Sequence, residues 1–367
     1  MKIFVTGTRG IPEIPGGVEK HCQELYPLIS DFGHTVILAT RASYSSTRQK
    51  RWRGVHLYHL WAPKNKYLEA IVHTFVAVFL ARILNSDIIH IHAVGPGLAV
   101  PLARLLGLKV VFTNHGPDYK RQKWNRLAKW ILQLGEWLAN SFSNQIIVIS
   151  SSIAEGVLPR HRPKLTVIHN GVTFPGISRK SDYLEKIGVR PLQYILAVGR
   201  LVPEKGLHDL IAAFRELELQ CKLVLVGDAD HESDYSRKLK QSISENDNIV
   251  QTGYLKGERL NQVYSHARLF VLPSYHEGLP ISLLEALSYG INVLVSDIPA
   301  NLELNLLPQQ YFQCGNVLHL KERLSTALKS NPDPIDQADI KKTLIANHDW
   351  PGIATQTASV FEKTLQL

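Results

Sequence analysis

Short apolar runs, rich in Val, Ile and Leu, alternate with amphipathic stretches from one end of the chain to the other. The runs fall at 2–6, 35–40, 55–60, 88–92, 110–113, 145–149 and 165–168 and, after a break, at 194–198, 222–226, 248–251, 269–272 and 292–295. They are nearly continuous in apolar character, as strands buried on both faces should be. Between them, helical spacing of apolar residues predicts helices over 18–32, 119–139, 207–217, 236–245 and 281–289. Repeated strand–helix alternation predicts an α/β protein with parallel sheets. A single core stops growing at roughly 250–300 residues, and this chain has 367. Two doubly wound domains are therefore expected. Asn170-Gly171 and Pro175-Gly176 supply turn chemistry between periodic segments, which places the boundary within 169–178, with a further break at 331–334.

Composition narrows this picture. Hydrophobic residues at 45% and charged ones at 20% fit a globular chain and exclude a disordered or fibrous one. Three cysteines (Cys22, Cys221, Cys314) at wide spacings form neither a disulfide framework nor a metal signature, which fits a reducing, cytoplasmic compartment. The chain opens Met1-Lys2-Ile3-Phe4-Val5, straight into a strand-like run, so no signal peptide is expected. The longest apolar stretch, 71–84, is broken by His73 and Arg82 and falls short of the ~20 residues of a membrane span. The net charge of +9 is unevenly spread: residues 1–175 carry 21 basic and 9 acidic side chains, the remainder 20 and 23. Much of the excess lies in two groups, Arg41, Arg48, Lys50, Arg51, Arg53, Lys64 and Lys66, then Lys120, Arg121, Lys123, Arg126 and Lys129. Tyr44, Trp52, Tyr58 and Trp61 interleave the first; Trp124, Trp130 and Trp137 accompany the second. Cations with interfacial aromatics suit an anionic membrane surface; a solvated basic face over core tryptophans is the plainer reading. No nucleic-acid recognition fold accompanies them.

Chemistry-bearing residues gather where strands end. After the run 269–272 comes Glu277-Gly278-Leu279-Pro280-Ile281-Ser282-Leu283-Leu284-Glu285, with a helix starting near Pro280. Glu277 before that helix and Glu285 inside it can both look into the space at the carboxyl end of the sheet, where open α/β sheets bind ligands. Carboxylates there accept hydroxyl hydrogen bonds from sugar and ribose rings; capping and solvation are the alternatives. Gly199-Arg200 to Lys205-Gly206 follows the run 194–198, so two cations sit beside a helix start and suit a diphosphate without a metal. Near the N-terminus, Gly7-Thr8-Arg9-Gly10-Ile11-Pro12 and Gly16-Gly17-Val18-Glu19 form a glycine-rich loop whose backbone permits close approach of a phosphate or sugar. The loop lacks the dinucleotide-binding spacing and Walker A is absent, so neither ligand class is expected. Asn114-His115-Gly116 ends another strand, where His115 either contacts substrate or is a satisfied structural histidine. His90 and His92 alternate as metal ligands do, but no Cys or carboxylate partner accompanies them, so no zinc site is expected.

As an ordered set, these motifs together with His169-Asn170-Gly171-Val172 resemble the retaining glycosyltransferases of family 4, which have the GT-B architecture of two Rossmann-like domains with a cleft between them. The Gly7–Pro12 stretch is similar to the rhamnosyltransferase-type subgroup of cell-surface polysaccharide synthesis. The resemblance implies transfer of a sugar from a nucleotide-diphosphate donor (UDP-, GDP- or dTDP-linked) with retention, to a glycan or lipid-linked acceptor, with no cofactor and no metal. It implies that Arg200 and Lys205 hold the diphosphate, that Glu285 binds the ribose, and that Glu277 binds the transferred sugar with Gly278, Leu279 and Pro280. Tyr254 and Leu255 would lie at the base, His115 over the sugar, and Gly16 and Gly17 near the phosphate. His115, Arg200, Lys205 and Glu277 are thus the expected catalytic residues. The domains implied are an acceptor-side domain over 1–172, a donor domain over 173–350, and a last helix, 351–367, packing back on the first. A peripheral place on the inner membrane face follows from the basic groups. Asp228-Ala229-Asp230 has the Asp-x-Asp form that binds metal in the other large class of sugar-nucleotide transferases, but it lies in an ordinary βα loop and is not expected to do so. Alternatives are a sugar-nucleotide 2-epimerase of the same fold or a non-catalytic nucleotide-sugar-binding module.

Overall fold

A computed structural model describes residues 1–44, 49–65, 68–120, 124–217, 221–329 and 334–367, with side chains in the last segment described from 341 onward. The chain divides into two compact units: Met1–Gly171 with His348–Leu367, and Val172–Asn347. The dividing lines fall one residue before the expected 172 at the linker and three before the expected 350 at the return.

The first unit is built on an eight-stranded sheet. Its strands are β1 (Lys2–Thr6), β2 (Thr35–Arg41), β3 (Arg51–Trp52), β4 (Val55–Leu60), β5 (Ile88–His92), β6 (Lys109–Asn114), β7 (Gln145–Val148) and β8 (Leu165–Val167), in the order β3-β4-β2-β1-β5-β6-β7-β8. All pairings are parallel except β3 with β4. Every residue of β5 and β7 is buried, so both faces of the sheet are covered. The two-residue edge strand β3 has no apolar run to announce it.

Chain order and strand order part company between β1 and β5. From β1 the sheet grows outward through β2 and β4; from β5 it grows the other way through β6, β7 and β8. The helix Gly17–Asp31 packs Cys22, Leu25, Tyr26 and Ile29 into this core, and the C-terminal helix Trp350–Gln366 adds Trp350, Ile353, Ala354, Val360 and Phe361. Gly171 has to be a glycine here, because a Cβ would run 2.5 Å from the Trp350 ring. The helix expected over 119–139 runs instead over Arg126–Phe142, since the Asn125 side chain caps it by accepting from Ala128 N at 2.9 Å. Residues 121–123 of that expectation lie outside the described residues.

The second unit carries a six-stranded, wholly parallel sheet of β9 (Tyr194–Val198), β10 (Lys222–Val226), β11 (Ile249–Gly253), β12 (Leu269–Leu272), β13 (Val293–Ser296) and β14 (Tyr311–Phe312). The order is β11-β10-β9-β12-β13-β14, so its reversal lies between β9 and β12. Its core joins Ile195, Ala197, Leu223, Leu225, Leu269 and Val271 to Leu210, Ile211 and Phe214 of the helix Leu207–Arg215. Among the described residues, no helix is long and apolar enough to cross a membrane.

Candidate active site

In the second unit, the loops after β9 and β12 leave the carboxyl edge of adjacent strands on either side of the order reversal. This is the position where doubly wound sheets open a ligand crevice. The loops are stitched together: Tyr275 N donates to the Glu204 carbonyl at 2.9 Å. Gly206, at φ +61°, brings its backbone so close that a Cβ would collide with the Pro273 carbonyl oxygen.

The ion pair Lys205 Nζ–Glu277 Oε1, at 2.6 Å with the side chains 16% and 11% exposed, bridges the two loops. Ser274 Oγ donates to the same carboxylate oxygen at 2.6 Å, which fixes its aim. Leu279 and Pro280 are buried and Gly278 half-buried behind it, and Pro280 stands one residue before the helix Ile281–Ser288. Among the described residues no side chain caps that helix, whose Leu283 and Leu284 amides bond the Pro280 carbonyl; the positive end of its dipole suits an anion. One turn inside, half-buried Glu285 accepts from Tyr264 Oη at 3.0 Å. Burial first, and then that carboxylate, push the Tyr264 phenol well above its ordinary pKa, so it stays a donor. The sequence missed both Ser274 and Tyr264.

Arg200 pairs through Nη1 with Asp230 Oδ2 at 2.8 Å, and the single hydroxyl hydrogen of Tyr254 is shared between Asp230 Oδ1 at 3.0 Å and the Asp228 carbonyl oxygen at 2.9 Å from Oη. Asp228 itself pairs with Lys240 at 2.8 Å. The two aspartates of the Asp-x-Asp motif are therefore each engaged by a cation, and Asp230 orients Arg200, a role its spacing does not disclose. Half-buried Leu255 follows Tyr254 in the turn beyond β11.

In the first unit, the glycine-rich loop follows β1 and opens the helix Gly17–Asp31, again at the order reversal. Glu19 accepts from Arg9 N at 3.0 Å, from Arg9 Nε at 3.2 Å and from Thr8 Oγ1 at 3.2 Å. Burial alone would raise its pKa; the Arg9 guanidinium and these hydrogen bonds outweigh burial and hold the carboxylate below its usual range. Gly16 has no room for a side chain, because a Cβ would strike the Glu19 carboxylate and the Arg9 guanidinium. Gly17 differs: it is exposed, and among the described residues nothing lies within 4 Å of a Cβ placed there.

His115 follows β6 and is half-buried. It belongs to a group of imidazoles that the sequence did not assemble. His92 Nδ1 lies 2.9 Å from His115 Nε2, and Tyr26 Oη lies 2.5 Å from His92 Nε2 and 2.8 Å from His90 Nδ1. His90 Nε2 lies 2.6 Å from Thr113 Oγ1. His21, held through Nδ1 by Asn170 Oδ1 at 3.1 Å, stands edge-on to His115 at 5.0 Å between ring centroids. The spacing of His90 and His92 suggested ligands side by side, whereas the ring nitrogens that converge within 4.8 Å are those of His21, His92 and His115. Burial lowers the pKa of His90 to about 3, with His21 adding to the shift. It lowers that of His21 to about 4, against the Asn170 hydrogen bond. His92 and His115 go well below the usual value, through burial first and neighbouring imidazoles second.

The basic groups divide. Arg41 is buried and paired with Glu69 at 3.2 Å, so it is part of the interior and not of a basic surface. Lys50, Arg51, Arg53, Lys64, Lys120 and Arg126 are exposed, and Lys129 is half-buried. Arg48, Lys66, Arg121 and Lys123 lie outside the described residues. Trp61, Trp130 and Trp137 are exposed at 70%, 59% and 45%, which removes the plainer reading of core tryptophans for these three.

Two parallel α/β units, each with its polar residues at the strand-order reversal, define the GT-B class. The profile described as Glycosyltransferase Family 4 matches residues 15–174, and that described as Glycosyl transferases group 1 matches 185–343. Together these span most of the chain, which belongs to glycosyltransferase family 4 and is a glycosyltransferase. An uncharacterized glycosyltransferase of Methanocaldococcus jannaschii is 24% identical over 408 residues, covering 100% of this chain and 99% of its own. A putative teichuronic acid biosynthesis glycosyltransferase, TuaC of Bacillus subtilis, is 28% identical over 246 residues, 65% of this chain and 59% of its own. The Anabaena protein HepE, solved in complex with UDP-glucose, shares the fold at a TM-score of 0.79 and 20% identity over 99% of both chains.

Proposed function

We propose that this protein transfers a sugar, with retention of anomeric configuration and without a metal, from a nucleotide-diphosphate donor to a glycan or lipid-linked acceptor of the cell envelope. The observation that carries the reading is the Lys205–Glu277 bridge across the β9/β12 reversal, with Arg200 on the same edge. Lys205 and Arg200 hold the diphosphate and neutralise the charge that grows on it as the glycosidic bond breaks. Glu277, with the Gly278-Leu279-Pro280 backbone, holds the hydroxyls of the transferred sugar. Glu285, oriented by Tyr264, holds the ribose; Tyr254 and Leu255 lie at the base. His115 contributes a hydrogen bond to the sugar, and Gly16 and Gly17 let the backbone approach the phosphate, which fits the open space at Gly17. The leaving phosphate takes the acceptor's proton on the face it departs from, so no protein nucleophile is required. TuaC's name, and the sequence likeness to the rhamnosyltransferase-type subgroup, support a cell-surface polysaccharide acceptor. Exposed Trp61, Trp130 and Trp137 among the basic residues support a peripheral place on an anionic membrane.

A panel of UDP-, GDP- and dTDP-sugars screened by thermal shift tests the donor, since a ligand at 100 times its Kd stabilises by about 2.7 kcal/mol. The stabilising donor, incubated with a cell-envelope extract, should release nucleoside diphosphate, and EDTA should leave that rate unchanged. Absence of any stabilising donor or of release would overturn the reading; loss of rate in EDTA would overturn its metal-free part.

A further inference from the structure

The polar chain behind His115 has a direction. Thr113, His90, Tyr26 and His92 are all buried, at 0% or 1% exposure, and each is joined to the next: Thr113 Oγ1–His90 Nε2, His90 Nδ1–Tyr26 Oη, Tyr26 Oη–His92 Nε2, His92 Nδ1–His115 Nε2. Burial pushes the Tyr26 phenol well above its ordinary pKa and the three imidazoles well below theirs, so every member is neutral near pH 7. A neutral imidazole has one N–H and one lone pair, and a hydroxyl has one hydrogen. The hydrogens must therefore all point one way along the chain, because any other arrangement either asks the Tyr26 hydroxyl to donate twice or has it accept from both imidazoles and leaves its own hydrogen unpaired in a dry interior.

Only two orders exist, and the distances separate them. Hydroxyl donors make shorter hydrogen bonds than N–H donors. The contacts at 2.6 Å (Thr113 to His90) and 2.5 Å (Tyr26 to His92) are the short ones, while those at 2.8 Å (His90 to Tyr26) and 2.9 Å (His92 to His115) are longer. This alternation fits Thr113 donating to His90, His90 Nδ1–H to Tyr26, Tyr26 to His92, and His92 Nδ1–H to His115 Nε2. In the opposite order an imidazole N–H would have to donate over 2.5 Å while a phenol donated over 2.8 Å. With its Nε2 accepting, His115 carries its own proton on Nδ1.

We propose that Tyr26 and His92, with His90 and Thr113 behind them, are positioning residues that fix His115 as its Nδ1–H tautomer and so make it a hydrogen-bond donor toward the sugar of the donor substrate. This rests on the assignment of His115 to that sugar. The cost of burying four polar groups beside the β1/β5 reversal is then offset by a side chain whose donor role does not fluctuate with its surroundings.

Long-range 1H–15N correlation spectra of histidine-labelled full-length protein near pH 7.5 read the tautomer without reference to activity. The expected spectrum shows His115 protonated on Nδ1; protonation on Nε2 would overturn the proposal. In Tyr26→Phe the signal should shift toward Nε2 protonation, and kcat should fall about tenfold, as for one lost hydrogen bond, with KM changed less. Thr113→Val, which removes only the first donor, should move both readouts in the same direction and serves if Tyr26→Phe fails to fold. His115→Asn supplies a fixed amide donor in place of Nδ1–H, and in that background Tyr26→Phe should leave kcat unchanged. An equal fall in both backgrounds would show a merely structural tyrosine and sink the proposal. Full activity of His115→Ala would instead remove the sugar assignment on which it rests, whatever the spectra show.

Discussion

Replacement of Lys205 by Ala separates what this side chain does for the fold from what it does for the reaction. Its ammonium lies 2.6 Å from Glu277 Oε1, and both side chains are largely buried. Breaking a fully buried pair by removing one partner costs about 3–5 kcal/mol. Here Glu277 keeps the Ser274 hydrogen bond and sits at a loop edge that water reaches, so a loss nearer that of one charged hydrogen bond, about 1.5–3 kcal/mol, is expected. The effect on transfer is separate: one charge-assisted contact to the donor diphosphate disappears, and kcat/KM should fall at least about tenfold, equivalent to roughly 1.4 kcal/mol. Urea unfolding measures the first quantity, and nucleoside diphosphate release from the stabilising donor measures the second. Glu277→Ala and the double variant complete a cycle, in which the two single losses of stability should sum to more than the double loss. A folded Lys205→Ala protein with kcat/KM within twofold of the parent would refute the diphosphate role, however stable the bridge proves to be.

Acid should destabilise the protein earlier than carboxylate titration does. His21 and His73 have folded-state pKa values near 4 and His90 near 3, all through burial, against 6.5 for the exposed side chain. Between those values the unfolded chain binds more protons, so this stability is complete above pH 6.5 and is lost as pH falls below it. At pH 5.5 the three histidines together should cost about 4 kcal/mol, read from urea midpoints at pH 7.5 and 5.5; equal midpoints would contradict neutral buried imidazoles. Trp350→Ala should cost about 3–5 kcal/mol by emptying the space against Gly171 and His21, and should lower Tm by at least about 6 °C. Trp350→Phe should cost much less, because the indole N–H makes no hydrogen bond among the described residues. Vesicles containing anionic lipid should bind the protein at low salt and release it as salt screens the contact, with Trp130→Ala/Trp137→Ala weaker throughout; binding indifferent to salt would rule out the basic surface as its cause.

Most of the strands were legible because a strand covered on both faces needs a nearly continuous apolar run, such as 194–198 or 269–272, too short for a helix and bounded by turn residues. The loop residues Arg200, Lys205, Glu277 and Glu285 were legible too, since each follows such a run and therefore sits at a carboxyl edge. The edge strands Arg51–Trp52 and Tyr311–Phe312, each of two residues, were not. Nor was the start of the helix at Arg126, where one Asn125 side chain outweighs the helical spacing that begins earlier. Arg41, counted in the sequence with a basic group, is drawn inside by Glu69, a residue 28 positions away.

The sequence by itself determined that the chain makes two parallel α/β units and which loops carry charge. Only the tertiary structure decided where each sheet reverses, and hence that Lys205 meets Glu277 and that Tyr26, His90, His92 and His115 form one buried chain. The physical reason is that hydrophobic periodicity records which face of an element is buried but not which element lies against it. Strand order and imidazole contacts are made between segments tens of residues apart, through directional hydrogen bonds that leave no local periodic trace.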